Sequence, residues 1–342
     1  MISSQRGNVF LSCRFSAKVD SMTHDNNLME NSQAGLFAMG TSSHIYLEFA
    51  LVPNANPAKL VKAAANLEMP RSTVSGSNMV IGIRPSIWAL LAPNQTPPQT
   101  LDFSEPIIGP DGFTIPATQR DLWIWIASGS PGQAFDAAVA AIDALAPHSV
   151  LAEEIVAWSY HENRDLIGFI DGTANPSLLE APQVTLIPSG SPGAYGSILL
   201  FQKWRHDLKS FKRLSVDAQE AVIGRTKQYS EEFEEELLPP DSHVARTTLV
   251  DGHGIERPIF RRNTAYGSPT ENGTVFVGFS MEQSRLHTML ERMSGIPDGT
   301  RDALTFYSTP MSGSYYYIPS ADALRKFLDR PDSPSIQWTV VE

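Results

Sequence analysis

Three side chains in this sequence could share one piece of chemistry: a carboxylate, an imidazole and a guanidinium. The carboxylate is Asp171, carried in Gly168-Phe-Ile-Asp-Gly172 and followed by Thr173-Ala-Asn-Pro176. Glycines on both sides let the backbone come close to a flat ligand while aiming the carboxylate at it. The imidazole is His243, and Arg261 follows 18 positions later, with Arg262 and Asn263 behind it. An imidazole can hold a metal, a carboxylate can take and return a proton, and a guanidinium can stabilise developing negative charge. Each is weak evidence alone. Asp-Gly is a common turn, and a second G-x-x-D-G, Gly295 to Gly299, reads as a helix end and turn.

Other chemistries leave no such trace. The sequence has no H-E-x-x-H, no C-x-x-C pair, no G-x-S-x-G elbow, no phosphate-binding P-loop and no dinucleotide glycine fingerprint. Eight histidines are present, and for any one of them a surface or core role is the default. The single cysteine, Cys13, excludes an internal disulfide and covalent haem attachment through C-x-x-C-H. The net charge of −11 disfavours a nucleic-acid partner, and no apolar run of membrane-spanning length is present. No membrane partner is expected. The leader 1–34 holds Arg6, Arg14, Lys18 and several serines, with no acid before Asp20. A cytoplasmic protein is expected, with organellar targeting through this leader as the alternative.

Around these residues the pattern alternates strands and helices. An extended apolar segment over 35–52 leads to a helix opened by Pro57 and capped by Asn56. A strand over Met79 to Arg84, a helix from Ser86 and a proline-rich loop from Pro93 to Pro110 come next. Leu122 to Ile126 is apolar at every position and reads as a strand buried on both faces. A helix over Gly132 to Leu145 and a strand over Glu153 to Trp158 complete a split β-α-β unit. A strand is read into Gly168. The second half repeats the order: a strand from Ser197, a long helix over Val216 to Glu236, and an extended stretch from His243 to Leu249. A strand over Thr274 to Phe279, a helix over Met281 to Met293, a strand over Ser314 to Ile318 and a helix over Ala321 to Leu328 follow. The expected fold is α+β: duplicated ferredoxin-like domains over 35–180 and 181–330, with antiparallel sheets, peripheral helices and a tail over 331–342. Direct sequence self-similarity is not evident, so the duplication rests on element order.

Arg164-Asp-Leu-Ile-Gly-Phe-Ile-Asp-Gly-Thr-Ala-Asn-Pro176 resembles the distal signature of the dye-decolorising peroxidases. Further blocks follow in order: Gln202 to Leu208, Ile223 to Lys227, Asp241 to Arg246, Ile259 to Asn263 with Tyr266-Gly267, and Asp298 to Asp302 with Gly313 to Pro319. Together they are similar to the B-type branch and span about residues 35 to 330. One departure is Ala174, where the family usually has glutamate.

The resemblance implies a non-covalent haem b with His243 as iron ligand. Asp171 and Arg261 become the distal pair with Asn263 beside them, Arg225 faces a propionate, and Asp302 accepts a hydrogen bond from the imidazole. It further implies hydrogen peroxide and a small-molecule reductant as substrates, and a homo-oligomer. A haem-handling protein with incidental turnover is the alternative, but such a carrier has no use for Asp171 opposite Arg261. Trp204 and the Tyr315-Tyr-Tyr317 run could relay electrons from surface donors, although strand packing explains them first.

Overall fold

The computed structural model describes residues 28–67 and 77–328. The early part of the leader and all of the expected tail lie outside the described residues. Eight strands carry the architecture: β1 Ser43–Leu51, β2 Asn78–Ile83, β3 Leu122–Ser128, β4 Ser149–Trp158, β5 Ser197–His206, β6 Thr264–Gly267, β7 Asn272–Ser280 and β8 Ser314–Ile318. In the first half β1 is central, with Ile45 opposite Ile126 of β3 and Val156 of β4. β2 lies outside β3, Ile81 facing Ile124. In the second half β5 is central, with Phe201 opposite Val277 of β7 and Leu200 opposite Tyr315 of β8. β6 lies outside β7. All pairings are antiparallel, and each half has the strand order of a ferredoxin-like α+β unit.

Two seams join the halves into a closed eight-stranded barrel. At one, Ile83 of β2 pairs with Tyr317 of β8. At the other, Ala157 and Trp158 of β4 pair with Tyr266 and Ala265 of β6. Closure leaves none of these strands with a bare edge, which removes a template for aggregation. Gln33 braces the first seam: its amide donates to the carbonyls of Ile81 and Pro319, and its oxygen accepts the Ile81 N–H.

The period of two sorts each strand into an inner and an outer face. β3 is buried throughout, as its apolar run predicts. Trp123 and Trp125 point into the barrel with Tyr46, Phe201, Phe279 and Tyr316. Leu122, Ile124 and Ile126 point outward beneath the helices. The first half is covered by α1 Pro57–Ala65 and α2 Pro131–Leu145 through Leu60, Ala64, Ala134, Ala138 and Ala141. Asn56 caps α1, its Oδ1 accepting the Ala58 N–H, and Pro57 sits at the first helical position, where its missing N–H costs nothing.

The second half departs from the sequence reading in two places that matter. The helix read over Val216 to Glu236 is only α3, Val216–Ile223. Gly224 ends it in the left-handed region at φ 88°, and a Cβ there would fall 2.9 Å from Ser242 Oγ. That glycine is a helix stop, and it lets the chain turn against the segment bearing His243. Arg225 therefore lies beyond the helix. The stretch read as extended from His243 is α4, His243–Thr247, opened by Ser242, whose Oγ accepts the Ala245 N–H at 3.3 Å. The β-branched Val244, Thr247 and Thr248 suggested strand, and the cap overrides them. α5, Gln283–Met293, packs Leu286, Met289, Leu290 and Met293 inward. The approach to Gly168 is a 3-10 turn and isolated bridges, not a strand.

Among the described residues no helix is long and apolar enough to cross a membrane.

Candidate functional site

A cavity opens between the outer faces of β5 and β7, helices α4 and α5, and the loops carrying the sequence motifs. Gln202, Trp204, Thr274 and Phe276 line it from the sheet, and Met289 and Met293 from α5. It encloses roughly 1340 Å³ counted with its open mouth. Asp171, Arg225, His243, Arg261 and Asn263 all line it. Asp302 does not reach the cavity. It is fully buried behind His243, its Oδ2 2.7 Å from His243 Nδ1.

Two histidines line this cavity, and their partners tell them apart. His206 has both ring nitrogens engaged, Nδ1 with Ser308 Oγ at 2.7 Å and Nε2 with Thr274 Oγ1 at 2.9 Å. Burial lowers its pKa to about 4, so it is neutral. His243 commits only Nδ1, to Asp302, and its Nε2 remains for a ligand. A carboxylate behind an imidazole fixes the ring and raises its basicity, the usual support for a metal-bound histidine.

Asp302 is itself held. Its Oδ1 accepts the Leu304 N–H at 2.9 Å, its N–H donates to the Met293 carbonyl, and Ala303 N–H donates to the Asp241 carbonyl. α4 is tied down further by Arg246, which donates to both oxygens of Asp298 at 2.8 and 2.9 Å. Hydrogen bonds from Arg246 pull the Asp298 carboxyl down to about 2. The second Asp-Gly turn is thus structural.

Elsewhere on the cavity wall, Asn263 Nδ2 lies 3.4 Å from Asp171 Oδ1, and its Oδ1 accepts the Val277 N–H at 3.1 Å. The Asp171 turn needs its glycines. Gly168 and Gly172 have φ of 102° and 77°, and a Cβ at Gly172 would sit 3.1 Å from Asn175 Nδ2. Asn175 clamps Arg261 by its backbone, accepting its N–H and donating to its carbonyl, both at 2.9 Å. Arg164 staples the loop from below through the carbonyls of Gly168, Lys227 and Gln228.

Arg225 donates to the Ser230 carbonyl at 3.0 Å and pairs with the Glu232 carboxylate. Burial lowers its pKa, Glu232 opposing. Glu256, also on the cavity wall, is raised by burial and by Glu232. Asp165 is raised to about 7, by burial first and then by the charge of Asp171, while N–H groups of Ile167, Gly168 and Phe169 pull the other way.

The sequence reading missed Asn175, Asp165, Glu256 and His206 as parts of this site. Asn175 had a signal, lying four residues past Asp171 within the distal block. Asp165 lies in the same block and His206 in the Gln202 to Leu208 block, whereas Glu256 had no signal. The run of tyrosines is buried in its strand, as the packing reading has it, and does not reach the surface: Tyr315, Tyr316 and Tyr317 are at most 2% exposed.

A single imidazole with one free nitrogen, apolar walls and nearby cations fit a haem. Comparison with known proteins agrees. Residues 162–323 match the family model "Dyp-type peroxidase, C-terminal". The dye-decolorizing peroxidase of Brevibacterium linens is 35% identical over 65% of this chain, and the match spans 60% of that protein. That of Rhodococcus erythropolis is 32% identical over 78% of this chain and 77% of its own length. The chain belongs to the Dyp-type peroxidase family. DyPB from Rhodococcus jostii superposes with a TM-score of 0.76 at 29% identity, covering 84% of this chain and 95% of that one. A variant of it was solved in complex with haem. This member of the family is accordingly a haem peroxidase acting on hydrogen peroxide, and the haem-handling alternative is not favoured.

Proposed function

We propose that the chain holds haem b non-covalently through His243 Nε2, reduces hydrogen peroxide there, and oxidises dyes, phenols or metal ions by one-electron steps. The haem supplies the redox-active iron. Asp302 accepts a hydrogen bond from Nδ1–H and keeps Nε2 aimed into the cavity, and Arg225 would meet a propionate. The rest of the chemistry belongs to side chains. Asp171 takes a proton from the inner oxygen of the peroxide and delivers it to the outer oxygen, first as base and then as acid. Arg261 stabilises the negative charge gathering on the departing oxygen. Asn263, fixed by the Val277 N–H, orients the peroxide or a water beside Asp171.

One observation carries this reading: the histidine with a free nitrogen and the Asp171–Asn263–Arg261 group share one cavity. The matched order of strands in the two halves supports descent from a duplicated ferredoxin-like unit. Likeness to DyPB supports the B-type branch, and a DypB variant solved in complex with manganese supports metal ions as alternative donors.

Asp171→Ala and Arg261→Ala should bind haem stoichiometrically by Soret titration, yet react with peroxide about 10²- to 10⁴-fold more slowly. Unchanged peroxide rates in both variants would remove the proposed site.

A further inference from the structure

The barrel interior holds a second set of oxidisable side chains that the peroxide site does not use. β1 turns His44, Tyr46 and Glu48 inward, opposite Trp123 and Trp125 of β3. Tyr316 of β8 donates its phenol proton to Glu48 Oε1 at 2.5 Å, both residues being buried. The ring of Tyr316 stacks on Trp123, with centroids 6.2 Å apart and planes 22° from parallel. Trp123 in turn lies 6.2 Å from Tyr46 and 6.4 Å from Trp125. Aromatic rings thus run unbroken across the interior.

Two charges give this stack a direction. The Arg262 guanidinium sits 5.0 Å over the Trp125 ring, held by the carbonyls of Leu36 and Ala38. A cation over a ring makes removal of an electron harder. At the other end, Glu48 stands beside Tyr316. A phenol gives up an electron far more readily when its proton can leave at the same moment, and Glu48 is placed to take it. Burial raises the Glu48 carboxyl to about 7, which makes its carboxylate a better proton acceptor than an exposed one. Arg120 favours its charged form and Glu153, itself paired with Lys203, opposes it.

We propose that Tyr316 is an internal redox site: when no donor is bound, it gives one electron to the oxidising equivalents that peroxide leaves at the haem, and its proton passes to Glu48. The phenol O–H bond breaks and a carboxyl O–H bond forms. The haem site is reduced by one electron, and a neutral tyrosyl radical remains beside protonated Glu48. An electron from a later donor restores the phenol, and the proton returns. Tyr316 lies opposite Leu199 on β5, three residues from Gln202 on the cavity wall, or about 10 Å along the strand. The inference rests on the peroxidase reading of that cavity.

The test is to mix haem-loaded protein with one equivalent of peroxide, without donor, and record the frozen EPR spectrum. A tyrosyl signal is expected in the parent protein and in Tyr46→Phe, and its loss in Tyr316→Phe. A carbonyl band from newly protonated Glu48 should accompany the radical in difference infrared spectra and vanish in Glu48→Gln. Should Tyr316→Phe fold poorly with Glu48 unpaired, Tyr316→Phe/Glu48→Gln removes the stranded carboxylate and serves the same purpose. A tyrosyl signal that persists in these variants while peroxide reacts normally overturns this inference alone. A parent protein that binds haem but does not react with peroxide overturns the peroxidase reading instead.

Discussion

The two halves of the barrel arrange their strands alike and differ in what covers them. In the first, residues 52–77 connect β1 to β2, and α1 and α2 lie directly on the sheet. Alanines at 64, 134, 138 and 141 keep that layer thin and full. In the second, residues 207–263 connect β5 to β6, more than twice the length. That chain is spent on short helices and loops, which leave Gln202, Trp204, Thr274 and Phe276 facing a cavity. The difference teaches that the cavity sits where one crossover is longer and its helices are short. Its reactive side chains come from a loop, from a short strand and from the first turn of a short helix, all of which leave space for a ligand.

The sharpest way to break this comparison is to damage one half at a time. His243→Ala should abolish stoichiometric haem binding, read as loss of the Soret band, and cost the apoprotein only about 1–3 kcal/mol through the buried Asp302 oxygen left without its partner. Trp88→Ala, in the first half, should do the reverse. Trp88 is fully buried, packs its ring at a tilt 5.3 Å from that of Tyr317, and donates to the Gln95 carbonyl. Its loss should cost about 3–5 kcal/mol, measured by urea unfolding of the apoprotein. Equal damage to stability from both would mean the halves are not specialised.

The barrel interior belongs to both halves, and its one strongly displaced carboxyl gives a pH signature separate from the cavity. Glu48 titrates at about 7 when folded and near 4.5 when unfolded. Between those values the folded chain keeps a proton that the unfolded chain has released. Stability therefore falls as pH rises from about 4.5 to about 7 and levels off above. Glu48→Gln should remove a loss on the order of 3 kcal/mol across that window. Urea midpoints of the two apoproteins at both pH values check this, and parallel losses would refute it.

Much of the first half was legible because its strands and helices declare themselves locally. Asn56-Pro57 marks a helix start, and the uninterrupted apolar run of β3 marks burial on two faces. The second half hides its logic in two residues. Gly224 stops a helix inside a run of good helix formers, and Ser242 starts one inside a β-branched run. Neither outcome is visible from periodicity, since each depends on a single cap. Barrel closure was not legible at all, because the seams pair Ile83 with Tyr317 and Ala157 with Tyr266, residues far apart in the chain. The site residues were readable as a set only through the ordered motif blocks. The Asn175 clamp on Arg261 spans 86 positions and has no local pattern.

That clamp separates holding a cofactor from positioning a reacting group. Asn175→Ala frees the Arg261 backbone without touching His243. Two lost hydrogen bonds are worth roughly 1–3 kcal/mol together, and a displaced catalytic group costs up to about 10²-fold in rate. The expected variant binds haem normally and reacts with peroxide about 10- to 100-fold more slowly, by stopped-flow absorbance. A normal rate would show that strand pairing alone, Arg261 against Gly278, fixes the arginine.

The smallest effects come from helix caps and compare the halves under one perturbation. Asn56 caps α1 over the filled half, and Ser242 caps α4 beside the cavity. Replacing either by alanine should cost about 1 kcal/mol of apoprotein stability, since each satisfies one N–H that the helix start leaves free. The consequences then diverge. α1 rests on a complete layer, so Asn56→Ala should leave haem affinity unchanged. α4 begins at His243 itself, so fraying its first turn loosens the ring that Asp302 orients. Ser242→Ala should weaken haem retention in a transfer assay to apomyoglobin by about the same 1 kcal/mol, roughly five-fold. Identical haem retention in both variants would mean that Asp302 and Arg246 hold α4 without its cap.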